Sequence, residues 1–187
     1  GLEVLGEKWS NGKESLEGSV FCKSGIEGVR IPSTLKTIDT GTFYKCEHLR
    51  VVEFSEGLEK IGVRAFAYSG IENVILPQST RTICRGAFTG CRRLRSALLN
   101  DGLRVLGTND QFLGKAPDGF VFKASALESI GIPPKLAAVG PRNFEGCGLK
   151  RVEFLEGREA LGKDREDSDA WNKLFRDCGV EEVVLPS

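Results

Sequence analysis

The sequence predicts a β-rich (α/β) solenoid: a right-handed parallel stack of about seven 22–23-residue coils, with short helical turns and three longer inserts on one edge. Three observations predict it. The first is a ladder of phenylalanines, Phe21, Phe43, Phe66, Phe88, Phe122, Phe144 and Phe175, spaced by 22, 23, 22, 34, 22 and 31 residues. The second is a small sulfur- or hydroxyl-bearing residue three places after each Phe: Ser24, Cys46, Ser69, Cys91, Ser125, Cys147 and Cys178. The third is an aliphatic residue that opens each unit (Ile26, Leu49, Ile71, Leu94, Leu127, Leu149, Val180), followed at +3 and +5 by a further apolar pair. Such a unit has too little apolar surface to fold alone, so coils must stack and bury a continuous core.

The strand comes first in each coil. Pairs such as Val29/Ile31, Val52/Phe54, Val74/Leu76 and Val152/Phe154 alternate with outward residues, the period-2 signature of a half-buried strand. The turn after the strand is of two kinds that alternate along the chain. Four coils carry Pro there (Pro32, Pro77, Pro133, Pro186), and three carry an acidic-Gly pair (Glu56-Gly57, Asp101-Gly102, Glu156-Gly157), so the true period is two coils. A second short apolar segment then ends at Ile38, Ile61, Ile83, Leu106, Val139 and Leu161. From there to the ladder Phe four coils need 5 residues, but Leu5 to Phe21 and Leu106 to Phe122 take 16 each and Leu161 to Phe175 takes 14. These inserts leave from one place in the coil and must project from one edge. They hold Trp9, Phe112, Phe120 and Trp171. In the middle insert Phe112 competes with Phe122 for the ladder, and Phe122 is preferred because it restores Ser125 and Leu127 to their slots. The third insert reads as a helix, with Ser168 as N-cap and Trp171, Leu174, Phe175 and Cys178 on one face.

Segments 71–91 (IENVILPQSTRTICRGAFTGC) and 49–70 (LRVVEFSEGLEKIGVRAFAYSG) resemble BspA-like leucine-rich repeats, and the resemblance covers essentially the whole chain. It implies one solenoid domain over 1–187 that binds other proteins, since members of that family bind many unrelated partners. The partial coils at both ends suggest a window of a longer array. Parallel strands about 4.8 Å apart give seven coils a length on the order of 35 Å.

Composition narrows the function. Lys plus Arg and Asp plus Glu are 26 each, so the electrostatic footprint of a nucleic-acid binder is missing. No apolar run is long enough to insert in a membrane. His48 stands alone on an inter-coil turn, and no nucleophile set, phosphate loop or zinc motif occurs, so no catalytic residue, cofactor or metal is expected. The acidic cluster at Asp164, Glu166, Asp167 and Asp169 lacks the Gly and terminal Glu of a calcium loop.

The expected role is a non-catalytic protein–protein interaction or assembly scaffold, alone or as a subunit of a larger assembly; the resemblance also allows a cell-surface adhesin-type repeat. Identical coils present identical surfaces, so partner contacts are expected at what breaks uniformity: Trp9, Phe112 and Trp171 in the inserts. Trp171 has a competing reading as flank packing. Second choice is Ile75 and Leu98, an apolar strip in an outward strand column that reads Arg30, Glu53, Ile75, Leu98, Gly131, Glu153, Val184. A second column, Glu27, Arg50, Glu72, Arg95, Glu128, Lys150, Glu181, alternates in sign and is expected to set register. Cysteines in the Ser slot read as buried small residues; only Cys147 and Cys178, in adjacent coils, can approach, and their pairing stays open. Unpaired cysteines and missing N-x-[ST] sequons point to a reducing intracellular or organellar compartment rather than the cell surface.

Overall fold

The computed structural model describes residues 4–5, 19–107, 119–156, 174–175 and 177–185. Each coil opens with a strand on one side: β2 (Gly28–Ile31), β4 (Val51–Phe54), β6 (Asn73–Ile75), β8 (Ser96–Leu98), β10 (Ser129–Ile132), β12 (Arg151–Phe154) and β13 (Glu182–Val184). A two-residue strand follows on the other side: β1 (Val4–Leu5), β3 (Thr37–Ile38), β5 (Lys60–Ile61), β7 (Thr82–Ile83), β9 (Val105–Leu106) and β11 (Ala138–Val139). All pairing is parallel and in register, for example Val29 with Val52 and Ile130 with Val152. Five coils carry both strands among the described residues, β12 and β13 supply the opening strands of two more, and the chain is a parallel β-solenoid.

The two sides differ. The short strands form one continuous six-stranded sheet, β1-β3-β5-β7-β9-β11. The longer strands fall into three separate groups, β2-β4, β6-β8 and β10-β12-β13. Strands β4 and β6, and β8 and β10, lie side by side without ladder pairing. The first two groups each pair a Pro coil with the acidic-Gly coil after it, as the two-coil period of the sequence does, and the third also takes in the next Pro coil through β13.

The core is the predicted set. Openers Leu49, Ile71, Leu94, Leu127 and Leu149 and second-segment residues Ile38, Ile61, Ile83 and Leu106 are fully buried. The seven ladder rings form one column, with centroids 5.0–5.6 Å apart and planes within 4–11° of parallel. Phe122 stacks on Phe88 and Phe144 at 5.6 Å each, which places it and not Phe112 in the ladder. In β13 the inward Val183 and, just beyond it, Leu185 are exposed.

The turn at each Phe is less helical than expected. Bonds run from residue i to i−3, as from the Tyr44 amide to the Gly41 carbonyl at 2.9 Å, while other amides, such as Phe43 to the Ala65 carbonyl at 2.7 Å, reach the next coil. Inter-coil bonding competes with intra-helical bonding and wins. Its mark is a left-handed backbone two residues after every ladder Phe: Lys23, Lys45, Tyr68, Gly90, Ala124, Gly146 and Asp177, with φ of 55–70°.

The alternation after the strand has a physical cause. The Glu56 carboxylate accepts from the Gln78 and Ser79 amides (2.9 and 3.1 Å) in the Pro turn of the next coil. From the other neighbour, buried Asn100 donates Nδ2 to the Pro77 and Thr80 carbonyls (2.8 and 3.0 Å). Gly57 has φ +105°, and a Cβ there would overlap the Ser33 carbonyl, so the acidic residue is followed by Gly.

Candidate interaction surface

The described side chains present an open strand side over a finished core. Ile75 on β6 and Leu98 on β8 are register partners and are 63% and 60% exposed; Val51 on β4 is 59% exposed. These aliphatics point outward because Val74 points in and is fully buried, and a strand can send only alternate residues to one face. Charged pairs share this side: Arg30 to Glu53 at 2.6 Å, Arg50 to Glu72 at 3.8 Å, and, farther along, Arg151 to Glu182 at 2.7 Å. Such surface pairs are worth under about 1 kcal/mol each. Of the alternating-sign column, Arg50–Glu72 is closed by side chains, while backbone bonds join Arg95 to Glu72 (3.0 Å) and Lys150 to Glu128 (2.8 Å).

Two shallow clefts lie on this side. One, of about 140 Å³, sits at the unpaired β8/β10 junction between Ser96, Ala97, Ser129, Gly131, Arg151 and Glu153. The other, of about 240 Å³, is bounded by Gly28, Arg30, Val51 and Glu53. Both fall below the roughly 300 Å³ where small-molecule sites begin. Among the described residues no three His, Cys, Asp or Glu side chains are grouped to hold a metal. No described helix is long and apolar enough to cross a membrane.

The expected insert contacts Trp9, Phe112 and Trp171 lie outside the described residues, as do the acidic cluster 164–169 and the start of the helix expected from Ser168. Ile75 and Leu98 are where the sequence set them. One residue at the insert edge went unread in the sequence: Asn143, fully buried. Its Nδ2 donates to the Leu106 carbonyl (3.1 Å) and the Gly140 carbonyl (2.8 Å), and its Oδ1 accepts from the Val121 amide (3.1 Å). It therefore clasps the two ends of segment 107–121. A Cβ on Gly107 or Gly119 would collide with the Asn143 side chain. The available signal was an amide where sibling coils hold Thr42, Ala65 and Ala87. Just beyond the clasp, Lys123 sits 4.4 Å over the half-buried Phe120 ring and bonds Glu145 at 2.7 Å.

None of the six cysteines is in a disulfide, and the four in the ladder slot are buried as expected. The Sγ of Cys46, Cys91, Cys147 and Cys178 each donates to the ladder Phe carbonyl of the preceding coil, at 2.8, 3.1, 2.9 and 3.1 Å. Burial pushes the Cys91 thiol up to about 11.

The profile of the BspA type leucine rich repeat region matches residues 14–110 and 118–165 in six copies. Solved structures similar to the chain include a leucine rich cell surface protein from Faecalibacterium prausnitzii (23% identity, TM-score 0.48, 71% of this chain and 40% of that one). They also include the pneumococcal vaccine antigen PcpA (19%, 0.44, 86% and 51%) and a leucine-rich repeat protein from Bacteroides ovatus (18%, 0.34, 86% and 61%). The chain thus spans 40–61% of their lengths. No curated protein matches it. The family match overturns the expectation of a reducing interior. The cysteines misled because their slots follow from packing: a small buried residue is needed beside the phenylalanine column, and Cys91, bonded to the Phe66 carbonyl, fills that need in any compartment. With the repeats matched over most of its length and stacked as their spacing predicts, the chain belongs to the BspA-type leucine-rich repeat family.

Proposed function

We propose that the chain is a non-catalytic binding segment of a cell-surface, adhesin-type repeat protein, and that it engages a protein partner. The observation that carries this reading is the group of Val51, Ile75 and Leu98, three exposed aliphatics in the middle of a largely polar strand side. They contribute nothing to a core that is already closed beneath them, and contiguous exposed apolar surface ringed by polar groups is the usual signature of a contact site. The family match supports a repeat module that works by binding. In this reading Trp9, Phe112 and Trp171 supply further anchors from the inserts, since large aromatics dominate interface energetics.

The test is solid-phase binding of the chain to a panel of extracellular-matrix and cell-surface proteins. I75D/L98D should lower binding at least tenfold to whichever member the parent binds, while its thermal midpoint stays close to the parent's because both sites face solvent. A parallel W9A/F112A/W171A variant ranks the insert edge against the strip. Full binding by both variants would sink the reading.

A further inference from the structure

Three features lie outside the binding strip: the cleft at the β8/β10 junction, the Asn143 clasp, and the column of slot residues. The column carries an inference independent of the binding reading.

Every slot cysteine leans toward the coil before it. The Cys91 Sγ lies 3.5 Å from the Ser69 Oγ, and the Cys147 Sγ lies 3.2 Å from the Ser125 Oγ. The thiol-to-carbonyl bond that sets this lean recurs at Cys178, which bonds Phe144 just as Cys147 bonds Phe122. The ring column repeats too: Phe144 stacks on Phe175 at 5.5 Å as Phe122 stacks on Phe144 at 5.6 Å. By the slot bond and the ring stack, Cys178 takes the place next to Cys147 in the column that Cys147 takes next to Ser125. What differs is the residue met. Ser24 precedes Cys46, Ser69 precedes Cys91 and Ser125 precedes Cys147, but Cys178 meets a second cysteine.

We propose that Cys147 and Cys178 are a redox pair that closes to an inter-coil disulfide. One coil step in a parallel stack, about 4.8 Å, lies inside the Cα separation a disulfide spans, about 4.4–6.8 Å. The oxidant is an external disulfide of the glutathione class. The thiolate of one cysteine attacks a sulfur of the reagent and expels one thiolate. The second cysteine then attacks the resulting mixed disulfide and expels the other. Two protein thiols become one S–S bond, the reagent gains their two electrons, and the two protons end on the two released thiols. Burial, with the neighbouring Cys147 thiol and the Asp177 and Glu145 carboxylates, holds the Cys178 thiol up at about 12, so closure in the folded state is slow and suits the time of folding. Once formed, the bond joins the two ends of segment 148–177, including the third insert, and restricts the unfolded chain.

The experiment refolds the chain from denaturant in a reduced/oxidised glutathione buffer, so that burial does not block access. The expected product is lighter by two hydrogens and retains four of its six thiols; peptide mapping joins Cys147 to Cys178, and the thermal midpoint exceeds that of the reduced chain. The controls are C147S and C178S. Ser fills this slot in three other coils, so both should fold, and neither should gain the link or the rise in midpoint. Six intact thiols after refolding, or a link joining Cys22 to Cys46 in place of the predicted one, would overturn the proposal.

Discussion

At the scale of single residues, the repeat is paid for by backbone strain that side chains conceal. The position two after each ladder Phe is left-handed in all seven turns, yet only Gly90 and Gly146 are glycines there. Lys, Tyr, Ala and Asp are carried through the same conformation because the inter-coil bonds around them over-determine it. A left-handed non-Gly residue costs roughly 1–2 kcal/mol, against about 0.5–1 kcal/mol of extra unfolded-state entropy for Gly. Exposed Ala124, with φ of 55°, has the least side chain to lose. Ala124→Gly should therefore stabilise the chain by about 0.5–1 kcal/mol in urea unfolding, and a loss of stability would mean the turn is not strained. These turns were not legible in the sequence. Glycine is the usual sign of a left-handed residue, and five of the seven positions lack it.

At the scale of the element, the turn after each opening strand is held from the neighbouring coils. Glu56 is the clearest case, because backbone donation from Gln78, joined by Ser79, lowers its pKa below the usual 4.5. The sign follows directly. A carboxylate stabilised in the folded state contributes above its unfolded pKa, and that contribution is lost as pH falls through the lower folded value. The thermal midpoint of the parent should therefore drop relative to Glu56→Gln as the solution is acidified below about pH 4.5, with the variant less stable at neutral pH and the gap closing in acid. A constant gap at every pH would show that the charge is irrelevant to the turn. The alternation of Pro and acidic-Gly coils was visible in the sequence, but its cause was not, since a cap between coils joins residues 22 positions apart. The strands were legible because period-2 patterning is local. The expected helical turns failed for the complementary reason: bonds to the next coil displaced those within the turn.

At the scale of the whole molecule, the phenylalanine column is the shared core, and each interior ring is held by one above and one below. Phe88 is fully buried between Phe66 at 5.3 Å and Phe122 at 5.6 Å. Phe88→Ala should cost about 3–5 kcal/mol through the cavity it leaves, measured by urea denaturation, and a loss below about 1 kcal/mol would contradict a tightly packed column. Long-range order of this kind was legible because the repeat writes it seven times. The binding strip was legible only as an interruption of a column, and the insert clasp at Asn143 was not, because a single buried amide has no periodicity to betray it. The two sides of the stack also differ mechanically. One is a cord of six strands joined without a gap; the other is three plates that meet at two seams without ladder pairing. Flexing that fans the plates apart breaks no ladder bond, whereas flexing the opposite way must stretch the cord. A long array built on this plan is stiff in one direction and compliant in the other, with its give shared among many seams instead of concentrated at a single hinge.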